Sequence, residues 1–160
     1  MRENSFEVGE GVVEITPPLG IEMAGFHKPP GSERRITGIR QPTFARALFM
    51  RLGRTLVVVV SLELIGVSRA FAQRVQKLVA RKTGVPSANI RICATHSHST
   101  PTLLFLRQWG AESEKYRDFV AGKIVEAVEL AKHDLAPTDM YVGSERVVDG
   151  NFNRTTKVWK

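Results

Sequence analysis

A chain of 160 residues with 42% apolar and 24% charged content holds enough apolar material to close a hydrophobic core, and that composition excludes disorder and collagen-like repeats. One cysteine, Cys93, allows no internal disulfide and no cysteine-based zinc knuckle. Twenty-three Lys and Arg against sixteen Asp and Glu give a formal charge of +7, which favours anionic partners such as phosphates, nucleic acid or acidic lipid surfaces.

The basic residues are spread along the chain, with one denser stretch from Arg34 to Arg54. No aromatic-rich RNA-binding signature accompanies them, so a nucleic-acid partner is not expected. The longest apolar run, Leu56 to Ile65, includes Glu63 and falls far short of the roughly 20 residues needed to span a bilayer. The first ten residues carry no apolar segment of the kind a secretory signal needs. The compartment stays open between cytoplasmic and, if a signal has been removed, secreted or periplasmic.

Val8 to Ile15 reads as a strand, ended by Pro17 and Pro18, which cannot donate to a continuing ladder. The Gly- and Pro-rich stretch from Gly20 to about Ile39 predicts a long loop, a candidate lid or rim. Phe44 to Leu52 and Thr55 to Leu62 are β-rich runs joined by Gly53-Arg54, a hairpin connection in which glycine supplies positive φ. The second run, with four consecutive valines, shows no alternation and predicts a strand buried on both faces.

Ser68 caps a predicted helix running to about Thr83, with Phe71, Val75, Leu78 and Val79 on one stripe and Gly84 then Pro86 as the stop. Asn89 to Thr95 is the next strand, reached by a helical crossover and therefore parallel to Leu56 to Leu62. Ser113 caps a second helix with Tyr116, Val120, Ile124, Ala127, Val128 and Ala131 at helical spacing, and Pro137 forbids its continuation. Thr138 to Val148 returns as a strand. The order β-ββ-α-β-α-β predicts an α/β fold, a mixed β-sheet with flanking helices.

Chemistry gathers where the Asn89 to Thr95 strand runs into Thr95-His96-Ser97-His98-Ser99-Thr100-Pro101. Residues two apart on extended chain point to one side, so the imidazoles of His96 and His98 are expected on one face. Ligands gather beyond the carboxyl ends of strands in α/β sheets, and a His-x-His there suits a metal or an acid/base pair. Catalytic zinc takes three protein ligands and an open position. The hydroxyls of Thr95, Ser97, Ser99 and Thr100 are candidates to orient the rings, and Glu63 to hold a histidine tautomer. His27 reaches the site only if its loop folds over it, Cys93 is expected in the core, and Arg154 offers a fork to a substrate oxygen.

Several pieces in order resemble the N-terminal catalytic region of the neutral/alkaline non-lysosomal ceramidase family. They are Glu14-Ile15-Thr16-Pro17-Pro18-Leu19-Gly20, Ala24-Gly25-Phe26, Thr43-Phe44-Ala45-Arg46-Ala47-Leu48, Ser61-Leu62-Glu63-Leu64, Ala94-Thr95-His96-Ser97-His98-Ser99-Thr100-Pro101 and Asn153-Arg154. The resemblance implies a Zn²⁺-dependent amidase that cleaves the N-acyl bond of ceramide to a fatty acid and a sphingoid base. It implies His96 as zinc ligand, His98 as second ligand or catalytic proton carrier, and Arg154 as an arginine at the active site. A lipid-like amide substrate follows, with contact to an anionic membrane surface. Thr100 stands where the family commonly has glycine, Glu63 where it has aspartate and Arg40 where many members have histidine. The resemblance also implies that residues 1–160 form one domain of a longer catalytic unit, whose other ligands, a His, a Glu and a Tyr, lie downstream. Two other outcomes stay open: a hydrolase of a different ester or amide on the same loop, and a non-catalytic basic binding domain.

Overall fold

The computed structural model describes residues 5–148 and 150. Its elements are β1 (Phe6–Glu14), β2 (Phe44–Leu52), β3 (Thr55–Leu62), α1 (Arg69–Thr83), β4 (Ile90–Ala94), α2 (Glu114–His133) and β5 (Ala136–Pro137). The strands form one mixed sheet in the order β4-β3-β2-β1-β5. β3 and β4 are parallel and every other pair is antiparallel. The α/β order predicted from the sequence is the order observed.

The punctuation works as its chemistry dictates. Gly53 sits at φ +55° in the β2–β3 turn, where a side chain would be strained. Ser68 accepts the Phe71 amide at the start of α1, and Gly84 closes that helix in the left-handed region with its N–H on the Ala80 carbonyl. Ser113 accepts the Tyr116 amide at the start of α2.

Both helices pack on one face of the sheet. Phe71, Val75 and Val79 from α1 and Val120, Ile124, Ala127 and Val128 from α2 meet Ala45, Ala47, Phe49, Val58, Val60 and Leu62 in a single core. Each fully buried aliphatic or phenyl side chain there contributes about 1.5–3 kcal/mol. α2 lies directly on β1, which presents Gly9 and Gly11 beneath it. A Cβ on Gly11 would stand 2.0 Å from the Ala127 carbonyl oxygen, and one on Gly9 2.1 Å from that of Ala131. Backbone touches backbone here, so only glycine fits.

Three expectations are corrected. β3 is buried on one face, not both: Val58 and Val60 are sealed beneath the helices while Val57 and Val59 stay half-exposed, because both helices lie on the same side. On that uncovered face Leu48 keeps 44% exposure and Val12 41%, and Cys93 is exposed there rather than in the core. The strand expected over Thr138 to Val148 is absent, and only Ala136–Pro137 pairs with β1. Pro137 has no N–H to extend that ladder, and beyond it Tyr141 and Val142 remain 89% and 88% exposed. Among the described residues no helix is long and apolar enough to cross a membrane.

Candidate metal centre

Because β3 and β4 run parallel, their carboxyl ends arrive side by side, and the segments that leave them interlock. Thr95 N–H donates to the Leu62 carbonyl at 2.9 Å, and the amides of His96 and Ser97 both donate to Leu64 O, at 2.9 and 3.2 Å. Leu103 N–H then donates to Gly66 O at 3.1 Å, and Ser68 N–H to Leu103 O at 2.9 Å. The histidine loop is thereby moored to the segment linking β3 to α1. A Cβ on Gly66 would stand 2.3 Å from a terminal methyl of Leu104, so that side chain would have to turn aside.

His96 adopts φ +64°, a left-handed conformation that few residues other than glycine adopt and that histidine tolerates better than most. The extended alternation expected from the sequence therefore stops at Ala94. The two imidazoles still come together, brought there by a turn: their centroids lie 5.0 Å apart with the rings inclined at 72°. Strained backbone held by surrounding hydrogen bonds is typical of functional loops.

His96 Nδ1 lies 2.8 Å from the carbonyl oxygen of Ile65. A carbonyl only accepts, so Nδ1 carries the proton and the neutral ring keeps its lone pair on Nε2. A metal-ligating histidine is commonly set in this way, by its other nitrogen. The backbone thus performs the task that the sequence suggested for Glu63. Glu63 instead accepts from Phe44 N–H at 3.1 Å and from Arg46 Nε at 3.3 Å. Two of the loop hydroxyls also serve the loop rather than the rings: Thr100 Oγ1 donates to Ser97 O at 3.1 Å, and Ser97 Oγ accepts Ser99 N–H at 3.3 Å.

Both rings line a cavity of about 760 Å³ whose other walls are largely apolar, among them Ile65, Val67, Leu104, Phe105, Leu106 and Trp109. The run Leu103 to Leu106 lies in neither helix nor strand. Its apolar character without either period is the one signal that sequence reading had for this wall, and it was missed. Gly25 closes the side next to His98, so the Gly- and Pro-rich loop does form part of the rim. His27 does not reach the rings: its Nε2 pairs with Gln108 Oε1 at 2.8 Å. Arg154 lies outside the described residues. Among the described residues no group of three or more His, Cys, Asp or Glu converges as a metal cage.

Fold and site together define an α/β unit that presents a two-histidine loop at the carboxyl ends of adjoining parallel strands. Residues 6–160 match the family model described as neutral/alkaline non-lysosomal ceramidase, N-terminal, and the chain belongs to that family. It is similar to the crystal structure of neutral ceramidase from Pseudomonas aeruginosa, with 25% identity and a TM-score of 0.71 over 84% of this chain. A second solved structure, a ceramidase complexed with C2, shares the fold at 24% identity, the same TM-score and the same 84% coverage. The chain spans 22% of the length of each of those two proteins.

Proposed function

We propose that this chain supplies the first part of a zinc-dependent amidohydrolase site that cleaves the N-acyl bond of ceramide. The observation that carries the reading is the His96 Nδ1 contact with Ile65 O, which frees Nε2 beside the His98 ring at the polar end of an apolar cavity. His96 fits a zinc ligand by donor chemistry and tautomer, and His98 fits a second ligand or a proton carrier. The remaining ligands are proposed to come from other parts of the longer family protein. When bound, zinc supplies Lewis-acid polarisation of the amide carbonyl and a water acidic enough to act near neutral pH.

The residues present divide the rest of the work. The apolar side chains of Leu104, Phe105, Leu106 and Trp109 receive a hydrocarbon chain and exclude water from the amide. Water adds to the acyl carbon as an imidazole nitrogen of His98 takes up its proton, and the same nitrogen passes that proton to the departing amine as the C–N bond breaks, giving a fatty acid and a free sphingoid base. Arg154 is proposed to hold a substrate oxygen. Phe26 and Phe105, 53% and 82% exposed, flank this region and support delivery of the substrate from a lipid surface, with the +7 chain favouring an anionic one.

Zinc titration of the purified chain and of His96→Ala, together with turnover of N-acylsphingosine and of simple N-acyl amines by a longer protein that completes the site, tests the reading. Expected are a large loss of zinc affinity in His96→Ala and preference for the sphingolipid. Protein purified without zinc, combined with unchanged affinity in His96→Ala, overturns it.

A further inference from the structure

His98 is held by one stretch of the Gly- and Pro-rich loop, and Arg34 is the centre of the hold. Arg34 Nη2 donates to the His98 carbonyl oxygen at 3.1 Å. The same guanidinium lies 4.7 Å over the centroid of the Phe26 ring, and that ring meets the His98 imidazole edge-on at 5.1 Å. One side chain therefore braces both the backbone of His98 and the surface its imidazole rests on. The loop is itself fixed: Met23 N–H donates to Arg34 O at 2.7 Å, and Ala24 N–H to Thr100 O at 2.9 Å. Neighbouring Arg35 pairs with Glu22 at 3.2 Å.

Packing alone is a poor reason for an arginine at this position. Among the described residues its guanidinium makes no ion pair; its other acceptor is the Met23 sulfur at 3.7 Å, and Nη1 is shut from solvent with no hydrogen-bond partner. A cation kept part-buried without a counter-charge is unfavourable, and an uncharged side chain of similar length would fill the space at less cost. The compensating feature is the grip on His98. We infer that Arg34 is a positioning residue for His98, setting through the His98 carbonyl and the Phe26 ring the direction in which that imidazole meets an ion beside His96. The role rests on the zinc reading above, but its geometry can be read without metal.

The test uses the 160-residue chain with ¹⁵N-labelled histidine, first metal-free and then titrated with zinc alone, as wild type, Arg34→Met, Arg34→Lys and His96→Ala. Arg34→Met keeps the stem and removes the donors; Arg34→Lys keeps one donor and the charge. Expected in Arg34→Met are shifted His98 ring signals in the metal-free chain, unmoved His133 signals, a nearly unchanged thermal midpoint and a zinc Kd raised about tenfold. Arg34→Lys falls between Arg34→Met and wild type. His98 ring signals unchanged in both variants, or displaced only along with those of every other histidine as the fold weakens, overturn the role. Shifts as expected beside an unchanged zinc Kd in His96→Ala leave the brace on His98 standing and remove the zinc reading instead.

Discussion

Ile65 and His96 are 31 residues apart, yet the carbonyl of one fixes the proton of the other at 2.8 Å. That contact joins the loop after β3 to the loop after β4, so the exposed ring nitrogen is chosen by the sheet's own connectivity. In the neutral ring the proton is expected on Nδ1 and the lone pair on Nε2. Long-range ¹H–¹⁵N correlation on the metal-free chain checks this, with a pyrrole-type signal expected at Nδ1 and a pyridine-type signal at Nε2.

Gly25→Ala is expected to damage the site before the core. A Cβ there would stand 2.5 Å from Cγ of His98, and Gly25 sits at φ +103°, where an L side chain is strained. The combined clash and strain should cost about 1–3 kcal/mol. Urea unfolding gives the stability loss, and zinc titration is expected to show weakened binding because the imidazole must move aside.

Two glycine substitutions of opposite sign test how α2 is seated. Gly11→Ala places a methyl group 2.0 Å from the Ala127 carbonyl oxygen, and the helix must lift from the strand, at about 3 kcal/mol or more. Gly122, on the exposed side of α2, has nothing within 4 Å of an added Cβ. Gly122→Ala should stabilise the chain by roughly 0.5–1 kcal/mol through helix propensity and a stiffer unfolded state. Paired denaturant curves read both.

Tyr116 links the core to alkaline stability. Its hydroxyl donates to the Ile15 carbonyl at 2.6 Å, and burial pushes the phenol well above the ordinary tyrosine range. The folded chain thus holds this proton more tightly than the unfolded chain. Stability is full below the ordinary phenol pKa of about 10 and falls as pH rises past it. Tyr116→Phe should lose about 1–2 kcal/mol at neutral pH, where the Ile15 carbonyl is left unpaired. Its stability should then decline less steeply above pH 10, as followed by urea unfolding across a pH series.

What the sequence made legible was local. Ser68, Gly84 and Ser113 set helix ends by short-range hydrogen bonds, and the Gly53 turn fixed the β2–β3 register, so these features could be read from a few neighbouring letters. The pairing of His96 with His98 was also legible, although its cause was not: the left-handed turn at His96 depends on Leu64 O, a long-range partner with no local signature. For the same reason the work of Glu63 was misassigned and that of Ile65 unseen, since a carbonyl is common to every residue. Val57 and Val59 show the remaining limit, because a run of valines does not reveal whether helices cover one side of a sheet or two.

β4, which bears the histidine loop, is an outer strand, laddered to β3 alone among the described residues. Outer strands fray at lower free energy than inner ones. An ion held between His96 and His98 would therefore exchange by breathing of this margin, while Phe49, Val60 and Ile124 stay packed. Loss of such an ion would then be separable from loss of the fold.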